Sequence, residues 1–167
     1  MKRGHLSPLL LRIMEFKEQV ISLLNQAFEK RPDLFLIDFS IGSDSHIEVV
    51  IDGDSGVTVE DCVEVSRAVE HNLDREVHDF SLSVQSAGAT APLTLARQFP
   101  KHIGRNLKVT VQNDSFEGEL IEANSSQITL QWSERIPKEV GKGKQTVIRK
   151  EIIQLSDINK AHVVLTF

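Results

Sequence analysis

Carboxylates, a cysteine and small turn residues crowd one stretch of this 167-residue chain: Asp52-Gly53-Asp54-Ser55-Gly56, then Glu60, Asp61 and Cys62. Alternating oxygen donors around a glycine look like the opening of a calcium loop. Such a loop needs a carboxylate at its twelfth position, and counting from Asp52 that position is Val63. A strand-to-helix turn uses the same residue types, because Asp and Ser bond to nearby backbone and Gly accepts unusual dihedrals. The pairs Asp52/Asp54 and Glu60/Asp61 fit a solvated loop and a favourable charge at a helix amino terminus better than acid–base work.

The other candidates are no better organised. His5, His46, His71, His78, His102 and His162 show no zinc-motif spacing, and Cys62 has no second cysteine beside it. Cys62 falls on the apolar face predicted for a helix, where a cysteine acts as a small hydrophobe. A Cys–His nucleophile would need a histidine aimed at it, and nothing in the sequence supplies one. There is no Gly-x-x-x-x-Gly-Lys-Ser/Thr phosphate loop and no dinucleotide fingerprint after a strand. These absences argue against an enzyme. No cofactor, metal or small-molecule substrate is expected.

The net charge of −5 argues against a protein that coats nucleic acid by bulk charge. Its distribution is uneven. Through Pro100 nine Lys/Arg face sixteen Asp/Glu; from Lys101 onward ten face eight. An acidic first part and a mildly basic second part imply two domains with different partners. Lys101, His102, Arg105 and Lys108 form one basic group, and Lys138, Lys142, Lys144, Arg149 and Lys150 another. They fit contact with RNA phosphates. They fit equally a solvated surface whose charges protect strand edges.

The elements that must position these residues follow from periodicity. Phe16, Val20, Leu23, Leu24, Ala27 and Phe28 recur at helical spacing from Met14 to Lys30, and Arg31-Pro32-Asp33 stops the helix. Residues before Met14 read as an extension. Leu34–Ile41 and His46–Asp52 form a strand–turn–strand hairpin. Thr58-Val59-Glu60-Asp61 opens a second helix with a capping box, its apolar face written by Val59, Cys62, Val63, Ser66, Val69 and Leu73. Its other face carries Glu60, Glu64, Arg67 and Glu70. Phe80, Leu82 and Val84 give a third strand. This first domain, residues 14–100, is α+β in the order helix–strand–strand–helix–strand. That order resembles KH-type RNA-binding domains. The Gly53-Asp54-Ser55-Gly56 tetrapeptide, however, joins a strand to a helix and carries an aspartate that repels phosphate. A short helical stretch is expected before Phe99-Pro100. Residues 101–167 read as five short strands, with a glycine break at Gly118 and a hairpin loop at 137–144; the expectation is a small SH3-like or Sm-like β-barrel. No apolar run approaches the roughly 20 residues of a membrane helix.

Several of these segments together carry a likeness. Ile51-Asp52-Gly53-Asp54-Ser55-Gly56 leading to Asp61-Cys62 and Ser66 resembles the signature of the RimP ribosome maturation factor family. Leu82-Ser83-Val84-Gln85-Ser86-Ala87-Gly88 looks like that family's strand and loop. His102-Ile103-Gly104-Arg105 is similar to the start of its second domain, and Asp157-Ile158-Asn159-Lys160-Ala161 to its closing turn. The family's commonest loop reads Ser-Ser-Pro-Gly-Leu-Asp-Arg-Pro-Leu. Here Gly88, Pro92 and Leu93 match, whereas Ala87, Thr90 and Ala91 replace its first proline, its aspartate and its arginine. A role of that Asp–Arg pair therefore does not carry over.

The resemblance implies a monomeric, cytoplasmic bacterial assembly factor. It would bind the immature small ribosomal subunit through rRNA and a ribosomal protein, and act by favouring one conformation of its partner. The expected ribosome- and RNA-facing residues are Ser86, Gly88, Pro92, Leu93, Lys101, Arg105, Lys142 and Lys144. The acidic helix face of Glu60, Glu64 and Glu70 is expected to meet a basic ribosomal protein. The alternative reading is an Sm-like protein acting on small RNAs.

Overall fold

The computed structural model describes residues 8–77 and 79–165. His5, His78, residues 1–7 of the expected extension and the last two residues of the expected final strand lie outside them. The chain divides into two compact units between Ala87 and Gly88. The sequence reading sets the boundary at Pro100/Lys101. The difference has a packing cause: Leu93 and Phe99 join the hydrophobic core of the second unit, so residues 88–100 belong with it.

In the first unit, helix α1 (Pro8–Lys30) begins ahead of Met14, and residues 8–13 are helical rather than an extension. A proline suits the first helical position because its φ is already set and its missing N–H has no intrahelical partner to lose. Phe16, Val20, Leu24 and Ala27 are buried along one stripe of α1. Strands β1 (Leu34–Ile41) and β2 (His46–Gly53) form the expected antiparallel hairpin, with a register shift between Leu36 and Asp38. Ile47, Val49 and Ile51 alternate inward and are fully buried, each contributing roughly 1.5–3 kcal/mol of apolar burial. Helix α2 (Val59–Glu70) then crosses to β3 (Ser81–Ser86), which pairs parallel with β2. A parallel pair needs such a crossover. The sheet order is β1-β2-β3.

The capping box of α2 is present in both directions: Thr58 Oγ1 accepts from Asp61 N (3.2 Å), and Asp61 Oδ2 accepts from Thr58 N (2.9 Å). Cys62, Ser66, Val69 and Leu73 keep the expected helix face, which departs from expectation at Val59, Val63 and Val65. Val65 and Val69 are buried and Cys62 half-buried, whereas Val59 is 77 % and Val63 38 % exposed. Val59 lies in the first turn, beside the cap, and Val65 joins the core instead.

The second unit contains β4 (Asn106–Val111), β5 (Asp114–Ala123), β6 (Gln127–Pro137), β7 (Lys144–Gln154) and β8 (Lys160–Val163), joined as one antiparallel sheet in the order β7-β6-β5-β4-β8. The expected closed barrel is not formed. Among the described residues no ladder joins β7 to β8, so both remain edges. The four-residue β8 offers a ladder only to β4, while β6 and β7 extend together beyond the sheet as a two-stranded ribbon. Leu107, Val109, Leu120, Ile128, Leu130, Ile153, Ala161 and Val163 make the core with Phe99. At Gly118 the strands come so close that a Cβ would lie 2.7 Å from Gln131 O, and the bulge falls just beyond, between Leu120 and Glu122. The expected short helical stretch takes the form of two 3₁₀ turns, Ala96–Gln98 and Pro100–His102, which precede the sheet. The fully buried Gln98 organises the first: its Oε1 accepts from Thr94 N (2.8 Å) and Leu95 N (3.0 Å).

Candidate binding surfaces

The Asp52–Gly56 turn is built for shape. Asp52 is buried, and its carboxylate accepts from Gly53 N at 2.8 Å. Asp54 N donates to Asp33 O, and Gly56 N to Gly53 O. A Cβ on Gly53 would lie 2.4 Å from Gly56 O, and Gly56 itself has φ +93°. Among the described residues no cluster of three or more His, Cys, Asp or Glu is arranged to hold a metal ion. Burial, with Asp61 adding to it, pushes the Cys62 thiol above its ordinary pKa, so the thiolate is disfavoured there.

Arg31, just past α1, fixes the start of α2. Its guanidinium reaches Asp33 (3.0 Å), Asp61 (2.9 Å) and Glu64 (2.5 Å), and these bonds raise its own pKa. Arg31 holds the Asp33 carboxyl below its ordinary range. Asp61 is lowered too, first by the Thr58 backbone N–H and then by Arg31. Periodicity did not reveal this hub, since Arg31 reads there only as part of a helix stop. The expected acidic face of α2 is therefore not a free one. Glu64 pairs with Arg31 and Glu70 with Arg75, and neither Glu60 nor Arg67 has an ion pair among the described residues.

The residues expected to meet the ribosome are distributed as follows. Ser86 ends β3 opposite Ile51, in the first unit. Gly88, Pro92 and Leu93 belong to the second. Gly88 is exposed and opens a turn closed by Ala91 N donating to Gly88 O. Leu93 N donates to Ala161 O at 2.7 Å, tying the segment to β8. Pro92 and Leu93 line a cavity of about 240 Å³ together with Phe99, Leu155, Ile158 and Lys160. Lys101 is half-buried in the second 3₁₀ turn, and Arg105 is exposed beside the start of β4. Lys142 stands at the tip of the β6–β7 ribbon and Lys144 opens β7 opposite Pro137. Gln131 is level with Asn106 through Glu119, and Pro137 lies six residues further along β6. At 3.3 Å per residue that is roughly 20 Å of strand. The structure thus does not gather Lys142 and Lys144 with Arg105; they occupy two ends of one sheet.

The second unit thus carries exposed cations, Arg105, Lys142 and Lys144, at turns and strand ends. Among the described residues no helix is long and apolar enough to cross a membrane. Residues 27–90 match the RimP N-terminal domain. The chain is 50 % identical over 151 residues to the ribosome maturation factor RimP of Christiangramia forsetii, covering 90 % of this chain and 99 % of that protein. It is 46 % identical over 154 residues to the RimP of Flavobacterium psychrophilum (92 % and 100 %), and 30 % identical over 146 residues to that of Porphyromonas gingivalis W83 (87 % and 95 %). The chain belongs to the RimP ribosome maturation factor family.

Proposed function

We propose that this protein is a ribosome maturation factor that binds the immature small ribosomal subunit, without catalysis, in the cytoplasm. The observation that carries this reading is the half-identity with a protein named as such over nearly the full length of both chains. Its rRNA contacts are assigned to the Ser86–Leu93 segment, Lys101 and Arg105, and to Lys142 and Lys144 at the ribbon tip. Glu60, the acidic residue of α2 outside the Arg31 and Arg75 ion pairs, is the point at which a basic ribosomal protein would meet this helix. The chain acts as a monomer, and its binding energy favours one arrangement of the partner over others.

Gradient sedimentation of bacterial lysate is the primary test: the protein should travel with free small subunits and stay off translating ribosomes. Each phosphate neutralised adds roughly 0.7–0.9 to the slope of log affinity against log salt. Lys142→Ala with Lys144→Ala should therefore weaken subunit binding and flatten that slope by about 1.5. A double variant that binds like the parent at every salt concentration would remove the ribbon tip from the site. Tight binding of small RNAs with no subunit association would favour the Sm-like alternative.

A further inference from the structure

We infer that the groove between the end of α1 and the second half of α2 binds the phosphate backbone of RNA, a contact that rests on the reading of rRNA as partner but lies outside the residues assigned to it above. The cavity measures about 320 Å³. Its charged lining is Lys30 and Arg31 from the α1 end and Glu64 and Arg67 from α2, with His71 at the α2 cap. Its apolar lining is small: Ala27, Val65 and Ala68.

The ion pairs decide which charges remain for a ligand. Arg31 is saturated by Asp33, Asp61 and Glu64, and so it withdraws the groove's single carboxylate rather than serving a ligand. The carboxylates one turn either side of Arg67 are Glu64 and Glu70, its natural helix partners. Glu64 is held by Arg31 and Glu70 by Arg75. Neither Lys30 nor Arg67 has an ion pair with another described residue, and both are exposed.

Cations near a helix carboxyl terminus often serve its last carbonyls. Here several of those acceptors are already engaged: Ala27 O by Arg31 N, Arg67 O by His71 N, Val69 O by Asn72 N and Ala68 O by Asn72 Nδ2. Lys30 and Arg67, one from each helix, are left for an external anion. A guanidinium suits phosphate in two-point fashion, and a small-sided lining lets a polymer backbone approach. Two cations on separate helices match successive phosphates of a strand better than one carboxylate.

The test uses the full chain and a fluorescein-labelled single-stranded RNA of mixed sequence, read by anisotropy from 50 to about 400 mM salt, the range over which phosphate contacts weaken. Lys30→Gln with Arg67→Gln should cost about tenfold or more at low salt and flatten the slope by about 1.4, that is, about 0.7 per single-strand phosphate. Glu64→Gln should tighten binding severalfold, a gain that misfolding cannot mimic. Lys17→Gln, also an α1 cation but outside the groove, should change neither quantity. The inference is overturned if the Lys30/Arg67 variant binds like the parent at every salt concentration, or if Glu64→Gln weakens binding. It is also overturned if the double variant loses affinity for a glutamate-rich peptide and none for RNA. If Lys142→Ala with Lys144→Ala abolishes RNA binding while Lys30→Gln with Arg67→Gln keeps it, the groove falls and RNA as partner stands. If the parent shows no salt-dependent RNA binding, both fall.

Discussion

Gly53→Ala is the sharpest test of the β2–α2 turn that carries the family signature. The added Cβ would lie 2.4 Å from Gly56 O, 3.1 Å from Leu34 Cδ2 and 3.3 Å from Gly56 C. An ordinary contact begins near 3.4 Å, so the carbonyl must retreat by about 1 Å, and backbone yields poorly. The movement pulls on Asp54 N–Asp33 O (2.9 Å) and Gly56 N–Gly53 O (3.1 Å), each worth roughly 1 kcal/mol net. Overpacking alone typically costs about 1–3 kcal/mol. Against this, alanine restricts the unfolded chain and returns about 0.4–1 kcal/mol. The net loss is about 2 kcal/mol, or roughly 8–16 °C in Tm for a unit of this size. Thermal melting followed by circular dichroism reads it, with Gly88→Ala as control. There the nearest atom to the new Cβ is Ala91 Cβ at 3.8 Å, and the change should stay within about 0.5 kcal/mol. A Gly53→Ala protein melting within 2 °C or so of the parent, on that scale, would refute the claim that the close approach fixes this turn.

Thr58→Ala removes half of the capping box and should cost about 0.5–2 kcal/mol by urea denaturation. Gln98→Ala leaves the Thr94 and Leu95 N–H groups without their acceptor and should cost about 1–3 kcal/mol, measured the same way. Asp33 and Asp61 have folded-state pKa values below their ordinary 3.8. The unfolded chain therefore takes up protons first, so their stabilisation is present above pH 3.8 and disappears as pH falls below it. An acid-unfolding series should show Arg31→Gln shrinking that dependence, and an unchanged profile would contradict the hub. The Cys62 thiol should react with a disulfide reagent at neutral pH more slowly than a free cysteine, because burial disfavours its thiolate.

Elements that rest on local rules are legible in the amino-acid order alone. The β1–β2 hairpin follows from strict alternation of Ile47, Val49 and Ile51, and the start of α2 from Thr58-x-x-Asp61, because side-chain periodicity and cap chemistry act within a few residues. The family likeness was legible for the same reason: the Asp52–Ser66 run is contiguous. Gly118 announced an irregular strand, but only the packing of β5 on β6 shows that it admits Gln131 O. Tertiary structure decided the rest. Whether β3 runs parallel to β2, whether β7 meets β8, and which unit claims Leu93 and Phe99 depend on residues far apart in sequence. The charges show the limit most plainly. Glu60, Glu64, Arg67 and Glu70 read as one largely acidic face, yet Arg31, 33 residues before Glu64, pairs with Glu64 at the centre of it, and Arg75 takes Glu70. A charge count sees each carboxylate as available, whereas only the fold determines which ones are already paired.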